Sequence, residues 1–94
     1  MKVYISGKVT GLKREEAWMN FQTAEDRLTE EGYEVVNPLK NGLDFDESWQ
    51  DHMREDVKLL MECDAIHMMN NWEDSGGATL ERLLAEMIGL RFII

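Results

Sequence analysis

The sequence contains little cysteine or proline and no long apolar run. Cysteine and proline each occur once among the 94 residues. Because Cys63 has no second cysteine to pair with, it cannot form an internal disulfide, which is typical of proteins in a reducing compartment. No apolar run approaches the roughly 20 residues that span a membrane, and no signal-peptide pattern opens the chain. We therefore expect a cytoplasmic protein with no membrane partner.

Positive charge is also scarce. Ten lysines and arginines stand against 19 aspartates and glutamates, and the formal net charge is −9. Such a chain repels the phosphate backbone of nucleic acids, so we expect no nucleic-acid partner. A small phosphorylated ligand can still be bound locally by backbone N–H groups. The two histidines and one cysteine have no metal-ligand spacing, so we expect no metal and no other cofactor.

The chain does contain a regular alternation of strand and helix patterns. Runs of β-branched, aromatic or apolar residues predict strands at 2–5, 33–36, 64–69 and 91–94. Helical periodicity predicts three helices. The first spans about 14–31, the second follows a polar loop and ends at about 62, and the third spans 78–90. Helices of this length can connect parallel strands, and no repeat or linker interrupts the pattern. We therefore predict one α/β domain over residues 1–94, a three-layer Rossmann-like (flavodoxin-like) sandwich with a four-stranded parallel sheet ordered 2-1-3-4.

The predicted fold indicates where a ligand would bind. In sheets of this order, ligands bind beyond the carboxyl ends of the strands, at the switch point between strands one and three. The loops at that position are Ser6–Gly11 and Asn70–Gly77. The second loop leads through Ser75, Gly76 and Gly77 into the third helix, and such a turn can present free N–H groups to an anion such as phosphate.

Two carboxylates lie on helix faces that are otherwise apolar. Asp56 falls within the apolar stripe of the second helix, and Glu81 lies within the apolar arc of the third. Right-handed crossovers would place both helices on one side of the sheet, as neighbours. A close, buried pair would have separated pKa values, as acid–base or nucleophile pairs require. The alternative is that each carboxylate caps a backbone group or pairs with a basic side chain.

Four further side chains have both a functional and a structural interpretation. Tyr4, near the end of the first strand, either reaches the site or packs in the core. Trp72 either stacks on a base or covers the core edge. His52 either orients Asp56, one turn away, or lies partly exposed at the edge. His67, within the third strand, is predicted to be a packed, hydrogen-bonded histidine.

Several motifs follow one another along the chain: Tyr4-Ile5-Ser6-Gly7, Thr10-Gly11, Arg54-x-Asp56, Cys63-Asp64 and Ser75-x-Gly77-x-x-x-Glu81-x-x-x-Ala85-x-x-x-Gly89. In this order they resemble the nucleoside 2-deoxyribosyltransferase superfamily, in particular a short branch of bacterial and phage proteins. The resemblance covers nearly the full chain and extends to the nucleoside 5′-monophosphate N-glycosidases.

The resemblance implies chemistry at an N-glycosidic bond. The glutamate at the Glu81 position would attack the anomeric carbon of a (deoxy)ribose and displace the nucleobase. A second base or water would then resolve the covalent glycosyl-enzyme. Asp56 would position or protonate the base, and Tyr4 would orient the nucleophile. The implied substrate is a small molecule, a nucleoside or its 5′-monophosphate.

Ser75 bears on the choice between sugar and phosphate recognition within this resemblance. The transferases have an aspartate at this position, whereas the monophosphate glycosidases have a phosphate-binding serine. Ser75 therefore favours a 5′-phosphorylated substrate. Thr10, which stands where those glycosidases carry an arginine, weakens this assignment. Lys8 replaces a proline common in the short branch. The expected substrate-binding residues are Ser6, Gly7, Lys8, Trp72, Ser75, Gly76 and Gly77.

Two other functions remain open from the sequence. The chain could bind a nucleotide as a catalytically weak sensor or accessory module, or it could be a structural interaction domain. The transferases also have a C-terminal segment that completes a neighbour's active site, and this sequence stops at the fourth strand. We therefore expect a homodimer or higher homo-oligomer that forms through the second and third helices.

Overall fold

The computed structural model describes residues 1–94 and contains four strands and three α-helices in alternation. The strands form one sheet ordered β2-β1-β3-β4, and every neighbouring pair is parallel. The predicted class, strand order and strand direction are therefore confirmed. The elements are β1 (Lys2–Ser6), α1 (Arg14–Glu30), β2 (Glu34–Val36), α2 (Trp49–Met61), β3 (Ala65–Met68), α3 (Gly76–Ile88) and β4 (Arg91–Phe92).

The helices cover both faces of the sheet and so form three layers. Because side chains alternate along a strand, Val3 and Ile5 of β1 pack against Phe21 of α1. Tyr4 points to the opposite face, where it packs with Leu60 of α2 and with α3. Helices α2 and α3 are neighbours on that face, as the right-handed crossovers predict. The central strand β1 is therefore covered on both sides.

Both helices on the site face begin at a serine cap. The Oγ of Ser48 accepts the N–H of Asp51 at 3.1 Å, and the Oγ of Ser75 accepts the N–H of Ala78 at 3.1 Å. The predicted glycine turn is thus the first turn of α3, which begins at Gly76. The cap explains why α3 begins before the predicted residue 78, because it satisfies an N–H group that has no partner within the helix.

The last helix and the last strand both end earlier than predicted. Helix α3 ends at Ile88, before the predicted end at residue 90, because Gly89 takes the left-handed conformation with φ of +79°. Strand β4 has two residues instead of four. Beyond it, the Ile93 N–H donates to the Ile66 carbonyl at 2.9 Å, and the Ile93 carbonyl accepts a hydrogen bond from Nδ1 of His67 at 2.9 Å. His67 is buried, as predicted. None of the helices has the length and apolar character that crossing a membrane requires.

Candidate active site

A cleft of about 300 Å³ lies at the carboxyl end of β1. The loop after β1 forms one wall, as predicted, and the first turns of α2 and α3 form another. The loop between β2 and α2 contributes Phe45 and Glu47, which makes it a larger part of the cleft than the sequence indicated. Of the predicted loop 70–77, only Ser75 and Gly77 line the cleft.

Glu81 lies at the base of the cleft and is 4% exposed. Its Oε2 accepts a hydrogen bond from the Tyr4 hydroxyl at 2.6 Å, and its Oε1 accepts one from the Ser6 hydroxyl at 2.6 Å. Burial raises the pKa of Glu81 from 4.5 to about 7, against the lowering effect of the two hydroxyl donors. The carboxylate is therefore fixed in orientation and changes its protonation state near neutral pH.

The strand pattern explains why two hydroxyl groups meet this carboxylate. Tyr4 and Ser6 are two residues apart on β1, so their side chains point to the same face of the sheet, toward α3. Both residues are fully buried. Burial, followed by the charge of Glu81, raises the pKa of Tyr4 well above its usual value, which keeps its hydroxyl a proton donor. Ser6, expected to bind substrate, instead contacts Glu81 directly.

Asp56 lines the same cleft from α2. Burial raises its pKa from 3.8 to about 6, while the hydrogen bond from Asn41 and the nearby His52 lower the pKa and Glu55 raises it. The Nδ2 of Asn41 donates to Oδ1 of Asp56 at 2.9 Å. Neither Asp56 nor Glu81 forms an ion pair with a basic side chain. The structure therefore brings the two carboxylates into one cleft without pairing either with a positively charged side chain.

The N-terminus of α3 forms the polar end of the cleft. The Gly76 and Gly77 N–H groups belong to the first helical turn and have no partner within the helix. Gly77 lines the cleft, and a Cβ at this position would lie 3.1 Å from Sδ of Met53, so the close approach of α2 favours glycine. Gly7 lines the cleft from the β1 loop. No lysine or arginine lines the cleft.

Four of the predicted binding residues lie outside the cleft lining: Ser6, Lys8, Trp72 and Gly76. The backbone N–H of Lys8 donates to Oδ1 of Asn71 at 3.0 Å, which joins the two loops. Gly76 is exposed beside the cleft. The ring of Trp72 lies 4.8 Å from the guanidinium carbon of Arg82, so Trp72 covers α3 and does not face the cleft.

Two residues of the site carry no signal in the sequence. Asn41 and Phe45 belong to the polar loop between β2 and α2, where no motif points to them. Their positions depend on contacts that the folded chain creates: Asn41 reaches Asp56, and the Phe45 ring centroid lies 5.1 Å from the guanidinium carbon of Arg14. The histidine, cysteine and carboxylate side chains include no group of three that could hold a metal ion.

Together, the fold and the site define a Rossmann-like α/β domain with two carboxylates in a cleft at the carboxyl edge of its sheet. The chain belongs to the family described as Domain of unknown function (DUF4406), whose model matches residues 1–94. No curated protein matches the chain.

Proposed function

We propose that the protein cleaves or exchanges the N-glycosidic bond of a (deoxy)nucleoside or its 5′-monophosphate, with Glu81 as the nucleophile. The observation that carries this proposal is the buried Glu81 carboxylate, held by two hydroxyl donors at the base of a cleft. A carboxylate is costly to bury without a cation, and such arrangements are concentrated at functional sites.

In the proposed reaction, a Glu81 oxygen attacks the anomeric carbon while the bond to the nucleobase breaks. The product of this step is a glycosyl ester of Glu81 and a free base. Asp56, whose pKa of about 6 leaves part of it protonated near neutral pH, supplies a proton to the departing base. Water or a second base then attacks the anomeric carbon and releases Glu81. Tyr4 and Ser6 stabilise the carboxylate as it leaves.

The 5′-phosphate, when present, would lie at the N-terminus of α3. The Gly77 N–H and the Ser75 hydroxyl lie there, and Thr10 adds a hydroxyl from the β1 loop. The Ser75 oxygen accepts from the Ala78 N–H, so its own hydrogen is available to a phosphate oxygen. Because no lysine or arginine lines the cleft, the helix terminus supplies the electrostatic attraction.

The proposal is tested by incubating the protein with a panel of nucleosides and nucleoside 5′-monophosphates and measuring free base by chromatography. We expect Glu81→Gln to lower base release by at least about 10³-fold, because the nucleophile is lost. Glu86→Gln, on the exposed side of the same helix, is the matched control and should retain activity. Mass spectrometry of acid-quenched reactions should find the sugar on the peptide that contains Glu81.

Two results would contradict the enzymatic proposal. Base release that persists in Glu81→Gln would exclude Glu81 as the nucleophile. A melting temperature raised by nucleotides, without base release from any member of the panel, would instead support a nucleotide-binding module.

We further propose a cytoplasmic homodimer or higher homo-oligomer that forms through α2 and α3. The exposed apolar residues Leu80, Leu83 and Met87 form a stripe along α3, and they are 45%, 52% and 77% exposed. Trp49 and Met61 on α2 are also about half exposed. The α3 stripe carries no charge, so two copies with a net charge of −9 each can approach there with the least repulsion.

A further inference from the structure

We propose that Asn41 is a positioning residue that holds Oδ1 of Asp56 as a hydrogen-bond acceptor and so leaves Oδ2 to carry the proton to the substrate base. The inference rests on the proposed function for its catalytic part. It assigns a role to the loop between β2 and α2, which contains no sequence motif.

The hydrogen bonds of Asn41 determine the orientation of its side-chain amide. Its Oδ1 accepts the backbone N–H of Leu43 at 3.0 Å, which closes a turn within the loop. The amide nitrogen therefore faces the opposite side, where it lies 2.9 Å from Oδ1 of Asp56 and 3.2 Å from Nδ1 of His52. An amide nitrogen has two hydrogens, so each of these acceptors receives one.

The contacts of His52 are consistent with this arrangement. Its Nε2 lies 3.0 Å from the carbonyl oxygen of Asp44 and donates to it. In the neutral ring, Nδ1 is then an acceptor, and it accepts the second hydrogen of Asn41. The side chains of Asp56 and His52 thus hold the loop against α2 at Asn41 and at Asp44.

The two oxygens of Asp56 consequently differ. Oδ1 is committed to the Asn41 donor, and a proton placed there would face the amide hydrogens. Oδ2 has no partner within the protein, and no buried side-chain oxygen lacks a partner, so Oδ2 is exposed to solvent. Because the other oxygen is occupied by a donor, the protonated acid carries its hydrogen on Oδ2, the oxygen that is exposed to solvent.

Several other titratable groups surround Asp56 and contribute to its titration. Glu55 precedes it on α2, Glu81 lies across the cleft on α3, and Tyr4 lies beneath on β1. Glu47 lines the cleft from the loop. Replacing Asn41 leaves these groups in place but also removes its contact with His52, which affects the pKa of Asp56, so a change in the titration of Asp56 reports the loss of the contacts of Asn41 with Asp56 and His52 together.

The sharpest test uses Asn41→Asp together with Asn41→Ala. An aspartate keeps the oxygen that accepts the Leu43 N–H but has no amide hydrogens to donate to Asp56, whereas alanine removes both contacts. Asn20→Asp, on α1 at the opposite face of the sheet, makes the same change of charge and serves as the control. Dispersed amide NMR spectra establish that each variant is folded.

The first readout is the NMR titration of the Asp56 carboxyl carbon, which needs no substrate. We expect its pKa to rise by at least about half a unit in Asn41→Ala, because a hydrogen bond to the ionised form is lost. In Asn41→Asp it should rise further, because a like charge is added. An unchanged Asp56 titration in both folded variants would overturn the inference, whatever the activity of the protein.

The second readout is kinetic and concerns the catalytic part. We expect kcat to fall by about 10–100-fold in both Asn41 variants with a smaller change in KM, and the alkaline limb of the pH profile to move upward. Unchanged kcat and pH profiles would overturn the catalytic part. If the wild-type chain releases no base from any substrate, the proposed function fails, and the NMR titration still decides whether Asn41 holds Asp56.

Discussion

At the scale of single residues, the site depends on the buried Glu81 and the half-buried Asp56, neither of which has a counter-cation. Glu81 and Asp56 both have raised pKa values, and in each case burial is the main cause. Tyr4 and Ser6 offset this cost for Glu81, and Asn41 does so for Asp56. Each acid therefore combines a fixed orientation with a protonation equilibrium near neutral pH, which suits a nucleophile and a proton donor.

The pH dependence of the proposed reaction should show whether Asp56 donates a proton to the base or only positions it. The proposed reaction requires ionised Glu81, so its rate should rise with pH through about 7, whereas a proton-donating Asp56 is lost as pH rises through about 6. We expect kcat/KM to give a narrow bell between pH 6 and 7. Asp56→Asn should lower the rate and remove the alkaline limb. A wild-type profile that reaches a plateau above pH 7 would show that Asp56 only positions the base.

The stability of the fold should depend on the protonation of Glu81. Its folded pKa lies above the usual 4.5, so the folded state binds the proton more tightly than the unfolded state does. The protein should therefore be most stable when Glu81 is protonated, and should lose up to about 3 kcal/mol from this group as pH rises from 4.5 through 7.

Chemical denaturation of wild type and Glu81→Gln across pH 5–8 measures this contribution. The free energy of unfolding should fall with pH more steeply in the wild type than in the variant, because the variant has no proton to lose at this position. Parallel curves for the two proteins would contradict the assignment. Because Asp56 raises the pKa of Glu81, the difference between the two curves reports the titration of Glu81 together with its coupling to Asp56.

At the scale of elements, the start of α3 combines a helix cap with a candidate phosphate site. Ser75→Ala should destabilise the fold by about 1 kcal/mol through loss of the cap. It should also reduce the preference for a 5′-monophosphate over the matching nucleoside by several-fold, because the hydroxyl donor is lost. The ratio of the two kcat/KM values measures this preference.

The cap of α2 provides a matched control for that experiment. Ser48→Ala removes the corresponding hydrogen bond to Asp51, and Ser48 does not line the cleft. A similar loss of stability with an unchanged substrate preference is expected. An equal change of preference in both variants would indicate that Ser75 acts only through the helix.

The elements show how far the sequence predicts this fold and its site. The buried runs of β1 and β3 and the helical periodicities predict the sheet, its order and the side on which Glu81 and Asp56 lie, because these depend on local patterns. The position of Asn41 was not predictable, because it depends on where a polar loop meets α2. The environment of Trp72 was also not predictable, since its contact with Arg82 is formed only in the folded chain.

At the scale of the whole molecule, the exposed α3 stripe predicts self-association. We expect light scattering after size-exclusion chromatography to give at least twice the 11.0 kDa of one chain. Leu83→Glu should shift the protein toward the monomer, because it places two negative charges opposite each other in the interface. Met19→Glu on α1 makes an equivalent change on the opposite face of the sheet, and it should not. A monomeric wild-type protein at micromolar concentration would contradict the proposed interface.

Two different parts of the fold form the site: the central strand β1 and the loop between β2 and α2. Glu81 is hydrogen-bonded to the strand that is paired on both sides and covered on both faces. The loop between β2 and α2, above it, is held against α2 by the polar contacts of Asn41 and His52. Under the proposed function, substitutions in that loop can change which base is accepted while Glu81 keeps its contacts with β1, so the domain can diversify in specificity without rebuilding its site.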